Sequence, residues 1–298
     1  MPVDDRTLGM GSAGSAHAVA FDAFLPPAMA ARAEESGVKR VAIDAPILFA
    51  LSVLAGAFIA FGAIFATTVS AGGYTMPYGV VKLLAGLAFS IGLILVAVGG
   101  AELFTGNNLI VMAWASGKVT TAGLLRSWAI VFAGNFAGAI LTASLMFFTT
   151  QYTFGNGAVG LVALSTAQAK VSLAPIPALT LGIMCNALVC LASWMCYSAR
   201  TTVDKIFTII PPIAAFVAAG FEHCIANIYY IPMALFIRAG APETFWAAIG
   251  KTSADFPELT WHNFFLVNLL PVTLGNIVGG SVMVAAIYWF IYLRKRGH

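Results

Sequence analysis

The sequence predicts an all-α integral membrane protein: six transmembrane helices in two inverted three-helix repeats, with helices 2 and 5 broken. Three observations carry the prediction. The chain is 60% hydrophobic and only 9% charged, with a mean hydropathy of +0.91, whereas a soluble domain carries roughly 25% charged residues on its solvated surface. Six apolar stretches reach the length of about 20 residues that a helix needs to cross hydrocarbon: roughly 47–68, 79–103, 122–149, 174–197, 206–238 and 262–292. Finally, two short motifs occur twice, in the same order.

The first motif, "GAELFTGN" (Gly100–Asn107), aligns without a gap with "GFEHCIAN" (Gly220–Asn227) at an offset of 120 residues. The second, "GNFAG" (Gly134–Gly138), answers "GNIVG" (Gly275–Gly279) at an offset of 141. Each unit then holds three spans. An odd number of spans sends the second copy into the membrane from the opposite side, the inverted-repeat plan of transport proteins with interrupted helices near the midplane.

Taken along the chain, residues 1–20 lack a continuous apolar core and read as a retained, disordered cytoplasmic tail. Residues 21–45 open with Pro26-Pro27 and place Phe24, Leu25, Met29 and Ala33 at near-helical spacing, which predicts an amphipathic helix on the cytoplasmic surface. Residues 46–293 form the six-helix transmembrane domain, with repeats over about 46–150 and 174–293 and long loops at about 150–173 and 239–261. Residues 294–298 are a basic cytoplasmic C-terminus.

Lysine and arginine orient the spans. Arg6, Arg32, Lys39, Arg40, Lys118, Arg126, Arg200, Lys205, Arg294, Lys295 and Arg296 fall on one side, eleven of the 15 basic residues. Lys82, Lys170, Arg238 and Lys251 fall on the other. The bias puts both termini in the cytoplasm.

The breaks carry the chemistry. A glycine beside small polar residues lets a membrane helix unwind, and Glu102 and Glu222 can accept from the freed backbone N–H groups. Asn107, Asn227, Asn135 and Asn276 fit satisfied structural amides, and the glutamates fit either structural bracing or a place on the pathway. His223 differs, because its aligned partner is Leu103, just as Thr105 aligns with Ile225. A requirement common to both breaks would appear in both copies, so an ionisable group in only one of them points to function.

His17, His262 and His298 give His223 no partner for a metal or haem. Cys185, Cys190, Cys196 and Cys224 sit in apolar runs and form no C-x-x-C pair, as expected of buried free thiols. No cofactor, metal site, nucleic-acid partner or enzymatic constellation is expected, and the Asn-Pro-Ala repeats of a neutral-solute pore are absent.

With both break motifs, "FDAFLPPAMA", "GGYTMPYGVVKLLAGLAFSIGLIL" and "NLLPVTLGNIVGG" in view, the chain from Phe21 to Leu293 resembles the formate/nitrite transporter family, on its formate branch. The resemblance implies an aquaporin-like inverted-repeat fold, a homopentamer with one pore per protomer, and a place in the bacterial inner membrane. It implies that His223 is the central pore histidine, with Thr105 facing it and Asn276 nearby. Phe89, Leu93, Leu103 and Phe104 would make the cytoplasmic-side constriction and Phe216 the periplasmic one. Lys170 would stand in the outer vestibule near Glu222. Cys224 stands where the family usually has serine.

The function expected is pH-dependent movement of formate, and other small monovalent anions, with His223 giving a hydrogen bond or a proton between two apolar rings. Nitrite or hydrosulfide passage and obligate formate/proton symport are the alternatives. The partners are the anion, the proton, the lipid bilayer and other copies of the chain.

Overall fold

The computed structural model describes residues 22–73 and 76–294. The expected tail over 1–20, and with it Arg6, His17, Lys295, Arg296 and His298, lie outside the described residues.

Among the described residues, twelve α-helices follow one another in the order α1 (Pro26–Ala42), α2 (Ala45–Ser70), α3 (Tyr78–Gly99), α4 (Val111–Ala115), α5 (Thr121–Phe148), α6 (Ala158–Val171), α7 (Pro175–Cys196), α8 (Thr202–Ala218), α9 (Cys224–Gly240), α10 (Glu243–Ile249), α11 (Leu270–Ile277) and α12 (Ile287–Tyr292). Helices α2, α3, α5, α7 and the continuous run Asn263–Tyr292, which contains α11, α12 and wider π-type turns, have 22 to 30 residues. At 1.5 Å per residue these lengths cover the ~30 Å of hydrocarbon. The fifth crossing is made of two 17-residue pieces, α8 and α9, which meet at the second break. The second crossing is likewise broken, α3 ending at Gly99 before a tight turn of helix at Gly106–Ile110.

The two repeats pack alike because their glycines let helices touch. A Cβ built on Gly138 of α5 would stand 2.0 Å from Val53 O of α2, and one on Gly279 would stand 2.1 Å from Ile183 O of α7. Only hydrogen fits at these crossings, the close backbone approach that small residues permit inside membranes. The G-N-x-x-G motifs thus fix α2 on α5 and α7 on the final helix.

Two stretches expected to be loops contain helices, α6 within 150–173 and α10 within 239–261. Helix α6 escapes a hydropathy scan because it has 14 residues and alternates its buried Val159, Ala163, Leu164 and Ala167 with Ser165, Thr166, Gln168 and Lys170. Helix α9 turns by 113° into α10.

The surface helix is present over Pro26–Ala42, with prolines in its first turn where the missing N–H is not needed. Its buried row is Met29, Ala30, Ala33, Glu34 and Gly37, while Leu25, expected on that row, precedes the helix and is 73% exposed. The helix lies over the Gly106–Ile110 turn and α4, Lys118 pairs with Glu34, and Arg32 donates to Tyr197 O at 2.9 Å. The basic residues of α1, Lys118, Arg126 and Lys205 therefore gather at one end of the bundle. Lys82 and Lys170 face a cavity at the other.

Candidate functional site

Both breaks begin on a glycine in the left-handed region, Gly100 at φ 77° and Gly220 at φ 73°. No atom crowds either position, so the backbone conformation alone accounts for glycine there. Beyond each glycine the chain leaves its helix and its amide groups need new partners.

The partners repeat across the two halves. Glu102 N donates to Leu51 O at 3.2 Å and Glu222 N donates to Leu181 O at 3.3 Å. Asn135 Oδ1 accepts from Phe104 N at 2.8 Å, and its Nδ2 donates to Ser52 O and Glu102 O. Asn276 repeats this: its Oδ1 accepts from Cys224 N at 2.9 Å, and its Nδ2 donates to Gly182 O and Glu222 O. Each asparagine side chain divides its bonds between the loop it holds and a neighbouring helix, α2 for Asn135 and α7 for Asn276, which stabilises a bend that would otherwise leave buried amides bare.

The carboxylates differ from expectation. Glu102 and Glu222 accept not from freed backbone N–H groups but from side chains. Asn107 Nδ2 donates to Glu102 Oε2 at 2.8 Å and Asn227 Nδ2 donates to Glu222 Oε2 at 2.7 Å. Each carboxylate also meets a cation, Arg40 at 3.4 Å for Glu102 and Lys170 at 2.8 Å for Glu222. The asparagine side chains have already taken the loop amides, leaving the acids to bind amide donors and cations.

Arg40 belongs to this set and was not among the residues singled out from the sequence. It lies 130 residues before Lys170, the same offset that separates Leu51 from Leu181 and Ser52 from Gly182. Helix α6 is thus the counterpart of α1, each delivering one cation to one break. The signal that finds it is "RVAI" (Arg40–Ile43) against "KVSL" (Lys170–Leu173).

The symmetry fails at the centre. Thr105 Oγ1 lies 3.0 Å from His223 Nε2 across the two breaks, both residues buried. His223 is also the N-cap of α9, its Nδ1 accepting from Ala226 N at 3.1 Å. A neutral imidazole has one acceptor nitrogen and one N–H, so this cap leaves the hydrogen on Nε2, towards Thr105. The loop carrying Thr105 is pinned in turn by α7, with Asn186 Nδ2 donating to Thr105 O at 3.3 Å and to Asn276 O at 2.7 Å. Asn186 therefore ties the first break to α11, whose Asn276 side chain holds the second, a connection with no signature in the duplicated motifs.

Two cavities flank this pair. One of about 470 Å³ is lined by Leu93, Leu103, Glu102 and Asn107 together with Arg32, Lys39, Arg40 and Lys205. The other, of about 710 Å³, is lined by Phe89, Phe216, His223, Lys170 and Glu222. Phe89 thus stands with Phe216, edge-on at a ring separation of 5.6 Å, and not with Leu93 as expected. One helical turn separates Phe89 from Leu93 on α3, enough to move the side chain from one cavity to the other. Phe104 turns away from both, packing on Phe132 at 5.1 Å and Trp128 at 6.1 Å. Asn135 draws its amide towards α5, where those aromatics wait. Asn276 reaches the amides flanking His223 and acts on the ring through the backbone.

Broken spans meeting over a buried polar pair between two cavities define a membrane transport protein. The formate/nitrite transporter profile matches residues 27–290, and the chain belongs to that family. It is 47% identical to the formate channel FocA of Escherichia coli (strain K12) over 278 residues, 93% of this chain and 98% of that one. It is 35% identical to a probable formate transporter of Methanothermobacter thermautotrophicus, over 91% of this chain and 98% of that one. Among solved structures, one described as a pentameric formate channel with formate bound superposes with a TM-score of 0.80 at 49% identity, covering 84% of this chain and 98% of that one. An FNT family ion channel gives 0.75 at 26% identity, covering 88% and 98%.

Proposed function

We propose that this chain is a formate channel of a bacterial inner membrane, a homopentamer with one pore per protomer and both termini in the cytoplasm. The 470 Å³ cavity is then the inner mouth and the 710 Å³ cavity the outer one. Residues 46–293 are the channel domain, preceded by the surface helix. The observation that carries the reading is the Thr105–His223 pair, 3.0 Å apart where the two breaks meet. Similarity to formate channels, one of them solved with formate bound, supports the substrate and the pentamer.

The physics of passage follows from the walls. Leu93 and Leu103 on one side and Phe89 and Phe216 on the other offer nothing to replace an anion's hydration, so a bare charge is costly there. Between them His223 Nε2–H and the Thr105 hydroxyl are two donors already in place. Hydrogen bonds from fixed donors recover part of the lost hydration, as in other selectivity sites. Formate thus crosses as an anion held briefly by neutral His223.

The same geometry supplies a pH response. Charging the ring puts a proton on Nδ1, facing the Ala226 N–H it now accepts from. Acidity sufficient to charge the ring therefore uncaps α9 and disturbs the break. Formate uptake by proteoliposomes, with nitrite and hydrosulfide as competitors, tests the substrate. A His223→Phe protein that transports formate with an unaltered pH profile contradicts the role given to the ring.

A further inference from the structure

Two lysines face the 710 Å³ cavity, and they are not equivalent. Lys170 is held 2.8 Å from Glu222, the sole acid lining that cavity among the described residues, and is 15% exposed. Beyond a few ångströms such a pair presents a dipole and no net charge. The attraction that Lys170 alone would exert on an anion is thus largely cancelled by its partner. Lys82, in the second turn of α3, has no carboxylate partner among the described residues. Its ammonium rests 5.5 Å from the centroid of the Tyr78 ring. A tyrosine face steadies a cation without neutralising it.

We propose that Lys82 is the residue that collects small monovalent anions on this face of the channel. The proposal rests on the reading of the chain as an anion channel. A cavity with low-dielectric walls and one uncompensated charge focuses its field at the mouth and raises the local concentration of counter-ions. Ser165 and Thr166 line the same cavity and offer hydroxyls to an anion moving from Lys82 towards His223, whereas the Thr67 and Ser70 hydroxyls are spent on Ala63 O and Ala66 O. The two lysines then have separate tasks: Lys170 braces the second break, and Lys82 sets how readily the anion enters.

Anion currents through the full-length protein in planar bilayers test this, with formate or nitrite added on the Lys82 side only and ionic strength set by a large impermeant salt. For Lys82→Gln the half-saturating concentration should rise about 3- to 10-fold at ~10 mM ionic strength, with the maximal current kept. The rise should shrink below about twofold at ~0.5 M, where the screening length is only a few ångströms. Lys82→Arg should behave as the unaltered protein, and anion added on the opposite side should show no change. An unchanged half-saturation at low ionic strength overturns the proposal, as does an equal rise from both sides or loss of current in both variants. If the unaltered protein carries nitrite but not formate, the formate assignment fails while the Lys82 effect is still read with nitrite. If it carries neither, both readings fall.

Discussion

Thr105 Oγ1 stands 3.0 Å from His223 Nε2, and the two residues belong to opposite repeats, 118 positions apart. Each occupies a place that its partner repeat fills with an apolar side chain, Ile225 opposite Thr105 and Leu103 opposite His223. The polar pair therefore exists once per chain, where two otherwise matching breaks meet. Removing the hydroxyl with Thr105→Val leaves Nε2–H without its partner. The loss of one buried hydrogen bond, about 1–1.5 kcal/mol, lowers formate flux about tenfold by this account, whereas Thr105→Ser keeps most of it. Flux assays on the two variants at matched protein content check this.

The Lys170–Glu222 pair should show strong coupling. Glu222 is 4% exposed at its side chain, so Lys170→Met strands a buried carboxylate, a change that costs about 3–5 kcal/mol when one partner of a buried pair is removed. Lys170→Met with Glu222→Gln should be more stable than Lys170→Met alone. Arg40 and Glu102, at 28% and 9% exposure, should couple more weakly. Thermal unfolding in detergent of the single and double variants measures both.

Gly138→Ala and Gly279→Ala should each destabilise the helix crossing they sit on. A Cβ there would overlap a carbonyl oxygen by more than an ångström, and forced overpacking costs about 1–3 kcal/mol. The two variants should lower the melting temperature by similar amounts, since the two crossings share one geometry.

Much of this arrangement was legible in the sequence, and the parts that were not have physical reasons. The six crossings, both breaks and the Thr105–His223 meeting follow from hydropathy, the duplicated motifs and the family resemblance. Helix α6 was not legible, because hydropathy registers length and α6 is short with one polar face. Arg40 was hidden with it, since only the α1–α6 correspondence shows that each break receives a cation. The family resemblance put Phe89 and Leu93 in one constriction, yet one turn of α3 separates them and they line different cavities. Phe104 sits inside a signature motif, but its neighbours on α5 decide which way the ring points.

One pH effect should be unrelated to transport. Asp255, in the loop after α10, accepts from Thr252 N at 2.7 Å and from the Thr252 hydroxyl, and these bonds hold its carboxyl below the usual carboxylate range. A depressed pKa stabilises the folded loop above the unfolded value, and the stabilisation is lost as pH falls through the folded one. The loop should therefore keep its structure at pH 5 to 7 and loosen only below about 4. Hydrogen exchange at residues 251–256 across that range reads this directly, and formate flux at pH 5 should be indifferent to Asp255→Asn.

The central claim is that His223, with Nδ1 committed to capping α9, serves the anion as a neutral donor and not as a proton carrier. Labelled formate uptake into proteoliposomes, at equal pH on both sides, with and without an imposed voltage, tests it most directly. The account predicts uptake that follows the voltage, because a charge crosses. Uptake indifferent to voltage and matched one for one by proton movement would mean that formic acid crosses and that the ring relays its proton, which contradicts the account.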